Sequence, residues 1–251
     1  MAFKTKIIIN PDFESLRPFI DEVPYRNQML GTVIYSGRNV VYRNTETGTP
    51  LCIKSFKVPP IYNRIAYTFL RKGKARRSYE NALKLLEKGI STPIPVAYAE
   101  VYASHLLQRS YYISLMVDAQ DVRSWQNRPD GEDIAENIAK LLYNMHCAHI
   151  WHRDFSPGNV IYDNDRRFYV VDINRMQFEV SSRKKFLQNF LRINESAEAT
   201  AHLVELYAKI AGISNVKALT EKVLKAHHRF WERLHARNHR RAIRQQKRHN
   251  K

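Results

Sequence analysis

The run His152-Arg153-Asp154 is followed by Asn159, and Asp172 closes the apolar run FYVVDIN eighteen residues after Asp154. These types in this order suit phosphoryl transfer. Asp154 can accept the proton of an attacking hydroxyl, while the Asn159 amide oxygen and the Asp172 carboxylate can hold Mg²⁺ against the phosphates of ATP. A hard cation takes oxygen ligands, which accounts for Asn and Asp in place of His or Cys. A lone H-R-D is weak evidence. Here it has Asn at the matching offset, a helical pattern before it and a strand ending in Asp after it.

The elements that must position these groups read as follows. Residues 132–150, EDIAENIAKLLYNMHCAHI, form an amphipathic helix with Ile134, Ile138, Leu141, Leu142 and Met145 on one face. Two short apolar strands, NVIYD and FYVVDI, flank a polar turn at Asn164–Arg167. Upstream, GTVIYSGRNVVYRN and LCIKSF read as paired strands, KARRSYENALKLLEK as a helix ended by Gly89, and STPIPVAYAEVY and LLQRSYYISLMV as further strands.

Lys54 lies between inward-leaning Ile53 and Phe56 in LCIKSFK, where it can hold the α- and β-phosphates of the nucleotide. Its expected partner is a glutamate on the following helix, with Glu80 the first candidate and Glu87 an alternative closer to the helix end. Glu80 also has Arg76 and Lys84 at i±4, so a helix-surface ion pair explains it as well. A full G-x-G-x-x-G is absent. Gly37 is the single glycine between the first two strands, and Ser36, Arg38 and Asn39 around it can donate to phosphate. A plain hairpin turn fits the same four residues.

The chain has 251 residues, 44% of them hydrophobic, enough for a core and against global disorder. Forty-one Lys and Arg against 24 Asp and Glu give a net charge of +17, so its partners should be anionic. Cys52 and Cys147 match no metal-ligand spacing and imply no disulfide framework. The apolar triplet in MAFKTKIII is too short for a signal-peptide core. No run approaches the ~18 apolar residues of a membrane span. A soluble cytosolic protein is expected, attached at most to a membrane surface.

SGRNVVY, YENALKLLEKGISTPIPVAY, HRDFSPGNV and VVDIN together resemble the protein-kinase-like superfamily, and more narrowly the lipopolysaccharide core kinase family. Members of that family phosphorylate Kdo or heptose sugars on the lipid A inner core. The resemblance covers roughly residues 30 to 180. It implies an α+β, protein-kinase-like two-lobed fold, with a small strand-rich N-lobe at 1–117 and a helical C-lobe at 118–225. It also implies Lys54 and Glu80 as an ion pair, Asp154 as catalytic base, Asn159 and Asp172 as metal ligands, and ATP and Mg²⁺ as cofactors. Three departures matter. Asp172-Ile173-Asn174 stands where protein kinases have D-F-G, no A-P-E follows, and Ser156 stands two after the catalytic Asp, where serine/threonine kinases usually carry Lys. Control through a phosphorylated activation segment is therefore not expected. Ser156 is also similar to the RIO kinases.

Residues 226–251 hold nine Lys or Arg and one acidic residue, Glu232. Arg229, Arg233, Arg237, Arg241 and either Arg244 or Arg248 recur at helical spacing, with Phe230, Trp231, Leu234 and Ile243 as apolar anchors. Such a tail suits an anionic membrane surface, with nucleic acid a less favoured partner. The expected function is phosphorylation of a Kdo or heptose hydroxyl on a lipid A-linked acceptor. The alternatives are a RIO-like atypical protein kinase and a catalytically inactive kinase-fold adaptor. The intact set Asp154, Asn159 and Asp172 speaks against the adaptor.

Overall fold

The structure is a computed structural model and describes residues 3–26, 30–58 and 72–249. The chain divides into two compact units, one of residues 1–120 with 162–176, the other of residues 121–161 with 177–251.

The first unit is built on a six-stranded antiparallel sheet. Its strands are β1 (Phe3–Ile9), β2 (Thr32–Ser36), β3 (Asn39–Asn44), β4 (Leu51–Phe56), β5 (Pro95–Ala103) and β6 (Leu106–Leu115), in the order β1-β5-β6-β4-β3-β2. A second sheet has the order β7-β8-β9, from β7 (Ala119–Asp121), β8 (Val160–Asp163) and β9 (Phe168–Val170). The Val- and Tyr-rich runs become strands as their patterns predict. β1 was not foreseen, because its apolar triplet is short. It forms by pairing Phe3–Ile9 against Ala103–Ala97 of β5.

Period-two alternation sorts β4 onto two faces. Leu51 and Ile53 enter a core with Phe19 and Ile20 of the short helix α1 (Arg17–Glu22). Phe56 lies on the opposite face with Tyr98 and with Ala75 and Tyr79 of α2 (Lys74–Glu87). Lys54 shares that second face, opposite Tyr112 in the β4–β6 register. Gly89, at φ +73°, ends α2 in the left-handed region that glycine adopts without cost, as the sequence predicts.

The second unit is helical. α3 (Gly131–Cys147) buries the predicted stripe Ile134, Ile138, Leu141, Leu142 and Met145. α4 (Arg183–Leu187) runs into a 3₁₀ turn at Gln188–Leu191. α5 (Ala197–Ile210) is capped by the Ser196 hydroxyl, which accepts from the Ala199 N–H at 3.1 Å. α5 packs on α3 and on α6 (Val216–His249).

These units differ from the expected division at 117/118 and 226. Residues 162–176 return to the strand-rich unit because Ser91 and Thr92 hold the β9 backbone, at 3.0 and 2.8 Å from Val170. The predicted tail is the continuation of a helix that starts at Val216, whose first half is anchored by buried Val223 and His227. Residues 250 and 251 and the side chain of Arg248 lie outside the described residues. Among the described residues no helix is long and apolar enough to cross a membrane.

Candidate active site

In the helical unit the segment after α3 is pinned at several points. Trp151 and Gln177 form a two-way backbone bridge at 2.9 and 3.0 Å. Phe155 is fully buried and meets the His152 ring edge-on at 5.9 Å. The His152 Nδ1 accepts the Asp154 N–H at 3.1 Å, and the Asn159 Nδ2 donates to the Asp154 carbonyl at 2.8 Å. That bond fixes which end of the Asn159 amide is committed to the loop. The other end, Oδ1, is an oxygen of the type that hard cations take as ligands.

A buried relay supports the loop from below. Asn189 donates its Nδ2 to the His152 carbonyl at 2.6 Å, which turns its Oδ1 toward the His146 Nε2 at 3.2 Å. His146 Nε2 must therefore donate, and its Nδ1 accepts from the Tyr207 hydroxyl at 2.9 Å. Burial is the main cause that drives the His146 pKa down to about 4, opposed weakly by the Asn189 bond. The ring is neutral at physiological pH. The Asp154 carboxylate is paired with the guanidinium of Arg192, which also lies 6.0 Å from the centre of the Phe230 ring.

In the strand-rich unit β9 delivers Asp172 in a left-handed conformation, φ 54° and ψ 41°, at the start of a 3₁₀ turn Ile173–Arg175. Non-glycine residues seldom sit there, Asp and Asn most readily, and such strain gathers at functional sites. Asn81 of α2 fixes the turn through the Ile173 carbonyl at 2.8 Å. The Asp172 Oδ1 accepts from Lys54 Nζ at 2.7 Å and from Asn174 Nδ2 at 2.8 Å.

The expected Lys54–Glu80 pair is not formed. Glu80 binds Lys72 at 2.7 Å and Arg76 at 2.8 Å, and Lys54 binds Asp172. Helical phase is the reason. The buried stripe of α2 is Ala75, Ser78, Tyr79, Ala82 and Leu85, and at 100° per residue Glu80 turns away from it. Glu87, the alternative, is exposed at the helix end.

The β2–β3 turn also resolves into parts. Gly37 and Asn39 close a hairpin at 3.1 Å, and the Asn39 side chain accepts the Lys57 N–H at 3.3 Å. Asn39 thus serves the strand end, and Ser36 ends β2 exposed. Arg38 reaches further. Together with burial, which is the largest cause, and with Arg175 and Arg77, it lowers the pKa of Lys74. Lys74 Nζ and Lys54 Nζ lie 5.8 and 5.6 Å from the centre of the same Phe56 ring.

Sequence reasoning missed Lys74, Asn174, Arg192 and Asn189. The D-x-N spacing of Asp172 and Asn174 was the one visible signal. The cations around Asp172 outnumber its single charge, which favours an incoming polyanion. Asn159 and Asp172 have the donor chemistry for Mg²⁺. Among the described residues no group of three or more His, Cys, Asp or Glu could hold a metal ion.

Three comparisons bear on these residues. The model of the lipopolysaccharide kinase (Kdo/WaaP) family matches residues 61–226. The 3-deoxy-D-manno-octulosonic acid kinase of Vibrio cholerae serotype O1 is 26% identical over 127 residues, 49% of this chain and 53% of the relative. The enzyme of the same name from Vibrio parahaemolyticus serotype O3:K6 is 24% identical over 119 residues, 46% and 50% of the two chains. The chain thus spans about half the length of the curated relatives it matches. The solved structure of WaaP in complex with acyl carrier protein superposes with a TM-score of 0.57 at 17% identity, over 88% of this chain and 98% of that one. At that identity the likeness shows a shared fold, the α+β protein-kinase-like fold expected from the sequence.

Proposed function

The chain belongs to the lipopolysaccharide kinase (Kdo/WaaP) family, and from that premise we propose that it transfers the γ-phosphate of ATP to a sugar hydroxyl of the lipopolysaccharide inner core. The observation that carries this reading is the ion pair of Lys54 with Asp172, 2.7 Å apart and set among further cations. An amine suited to phosphate beside a carboxylate suited to a metal supports the reading. The names of the two Vibrio relatives favour Kdo over heptose as the acceptor sugar.

In this reading Lys54 and Lys74 take the nucleotide's phosphates, with Arg38 adding charge from the hairpin. Asn159 and Asp172 would hold Mg²⁺, which would neutralise charge on the phosphate oxygens. Lys54 exchanges its bond to Asp172 for one to phosphate. Asp154 accepts the proton of the sugar hydroxyl. Asn189 and His146 keep the loop that carries Asp154 in place. Fixed position and charge supply most of the acceleration. Glu80, held by Lys72 and Arg76, is not part of this scheme. A cytosolic, membrane-peripheral location follows if the acceptor is lipid-linked.

The test is transfer of labelled γ-phosphate from ATP with Mg²⁺ to Kdo-bearing lipid A, to lipid A without Kdo, to a generic protein and to RNA. Wild type should label the Kdo-bearing lipid alone, and Asp154→Asn should lose about 10²–10⁴-fold while still binding ATP. Label on protein would replace this reading with an atypical protein kinase. ATP binding and transfer both absent would replace it with the inactive adaptor.

A further inference from the structure

Outside the catalytic loop, the densest charge in the helical unit lies on one face of α6. Lys222, Lys225, Arg229, Arg233, Arg237 and Arg240 follow one another at steps of three or four residues, which places them in one stripe. The stripe walls a groove of about 1150 Å³ whose other side is α4 and the turn after it. Arg153, Lys184 and Arg192 complete the cationic rim. Leu187, Leu191, Phe230 and Leu234 provide an apolar floor, and among the described residues no acidic side chain lines the groove.

A solvated helix face accounts poorly for this arrangement. Like charges at i, i+4 destabilise a helix, and here they converge with cations from two other segments on one concavity. The groove also reaches the catalytic loop. Arg153 adjoins Asp154, and Arg192 pairs with the Asp154 carboxylate while its guanidinium lies over Phe230 of the floor.

We propose that this groove is the acceptor site and that it takes a glycolipid headgroup bearing several phosphate or carboxylate groups. The identity of the ligand rests on the kinase reading above. A cationic rim over an apolar floor fits an amphiphile with anionic sugars. A flat membrane surface would meet few of the cations inside a concavity. RNA would need exposed stacking surfaces, whereas Phe230 and Trp231 are half-buried and meet edge-on at 5.6 Å.

Arg192 links the groove to the catalytic loop, because its guanidinium pairs with the Asp154 carboxylate. Asp154 takes the hydroxyl proton of the bound sugar as the sugar oxygen bonds to the γ-phosphorus, and ADP leaves with the electron pair of the broken P–O bond.

The experiment measures the KM for Kdo-bearing lipid A in detergent micelles, alongside the same glycolipid stripped of its phosphates. Arg233→Ala/Arg237→Ala should raise the KM for the phosphorylated acceptor about tenfold or more, as expected for the loss of charge-assisted bonds. Lys140→Ala/Lys209→Ala removes equal charge outside the groove and should leave that KM unchanged. For the stripped acceptor, wild type should already show the higher KM, and the groove variant should add little. Thermal unfolding checks the fold of each variant, and equilibrium binding of the glycolipid without ATP gives a second readout independent of turnover. Equal KM values for the two double variants would overturn the groove and leave the kinase reading standing. Binding lost in the groove variant, with no phosphate transferred by wild type, would overturn the kinase reading and keep the groove. An unchanged acceptor KM with weakened binding to phosphatidylglycerol vesicles or to RNA would reassign the groove to that surface.

Discussion

Mild acid should weaken this protein through the buried His146 ring. His146 is held neutral between Asn189 and Tyr207, with its pKa down at about 4 against 6.5 when exposed. Between those values the unfolded chain binds a proton that the folded chain refuses. Stability therefore rises with pH across the window and falls as pH drops through it. The contribution is complete above pH 6.5 and is lost progressively toward pH 4. A gap of that size corresponds to ~3 kcal/mol in full and to about 2 kcal/mol at pH 5. Stacking of Phe186 on the ring at 4.5 Å and the nearby Phe190 and Tyr207 rings leave no carboxylate among its aromatic and hydrogen-bonding partners to offset the charge. The assay is urea unfolding from pH 7.5 to 4.5 for wild type and His146→Gln, which keeps hydrogen bonding without titration. The wild-type curve should fall about 2 kcal/mol further than the variant's by pH 5, because the carboxylates common to both cancel. Parallel curves would refute the buried, neutral assignment.

Three other outcomes are expected. Lys74→Met should raise the KM for ATP about tenfold, measured by initial rates, because an ammonium beside Lys54 and Asp172 is replaced by an apolar chain; an unchanged KM removes Lys74 from the phosphate site. Glu100 is buried on β5, and burial, partly offset by the Tyr102 hydroxyl at 2.8 Å, raises its pKa, so its contribution is lost as pH climbs through that raised value. Glu100→Gln should accordingly melt above wild type at pH 8 and with it at pH 4, read by thermal unfolding. Gly31 sits at φ +122° with the Arg43 carbonyl where a Cβ would lie, so Gly31→Ala should cost about 2 kcal/mol or more in urea unfolding.

Much of this protein is written locally. The stripe Ile134–Met145 repeats every three or four residues, and that period alone orients α3. Alternation in LCIKSF sends Ile53 and Lys54 to opposite faces of the sheet before any partner strand is known. For Asp154, Asn159 and Asp172, residue type and order point to phosphoryl transfer, because they limit what a carboxylate-amide-carboxylate set can do. What the sequence could not carry is pairing at a distance. The partner of Lys54 is 118 positions away, and the choice of Asp172 over Glu80 depends on the phase at which α2 meets the sheet. β1 exists as a strand because β5, some ninety residues on, supplies its hydrogen bonds. Arg229, Arg233 and Arg237 were visible as a helical repeat, but the groove they line takes in Lys222, Lys225 and Arg240 rather than the expected Arg241, its other wall comes from residues 184–192, and Arg192 meets Asp154 only in the folded unit. Periodicity reports how one element turns about its own axis. Which element it then faces is decided by packing, and packing is where this chain assembles its charges.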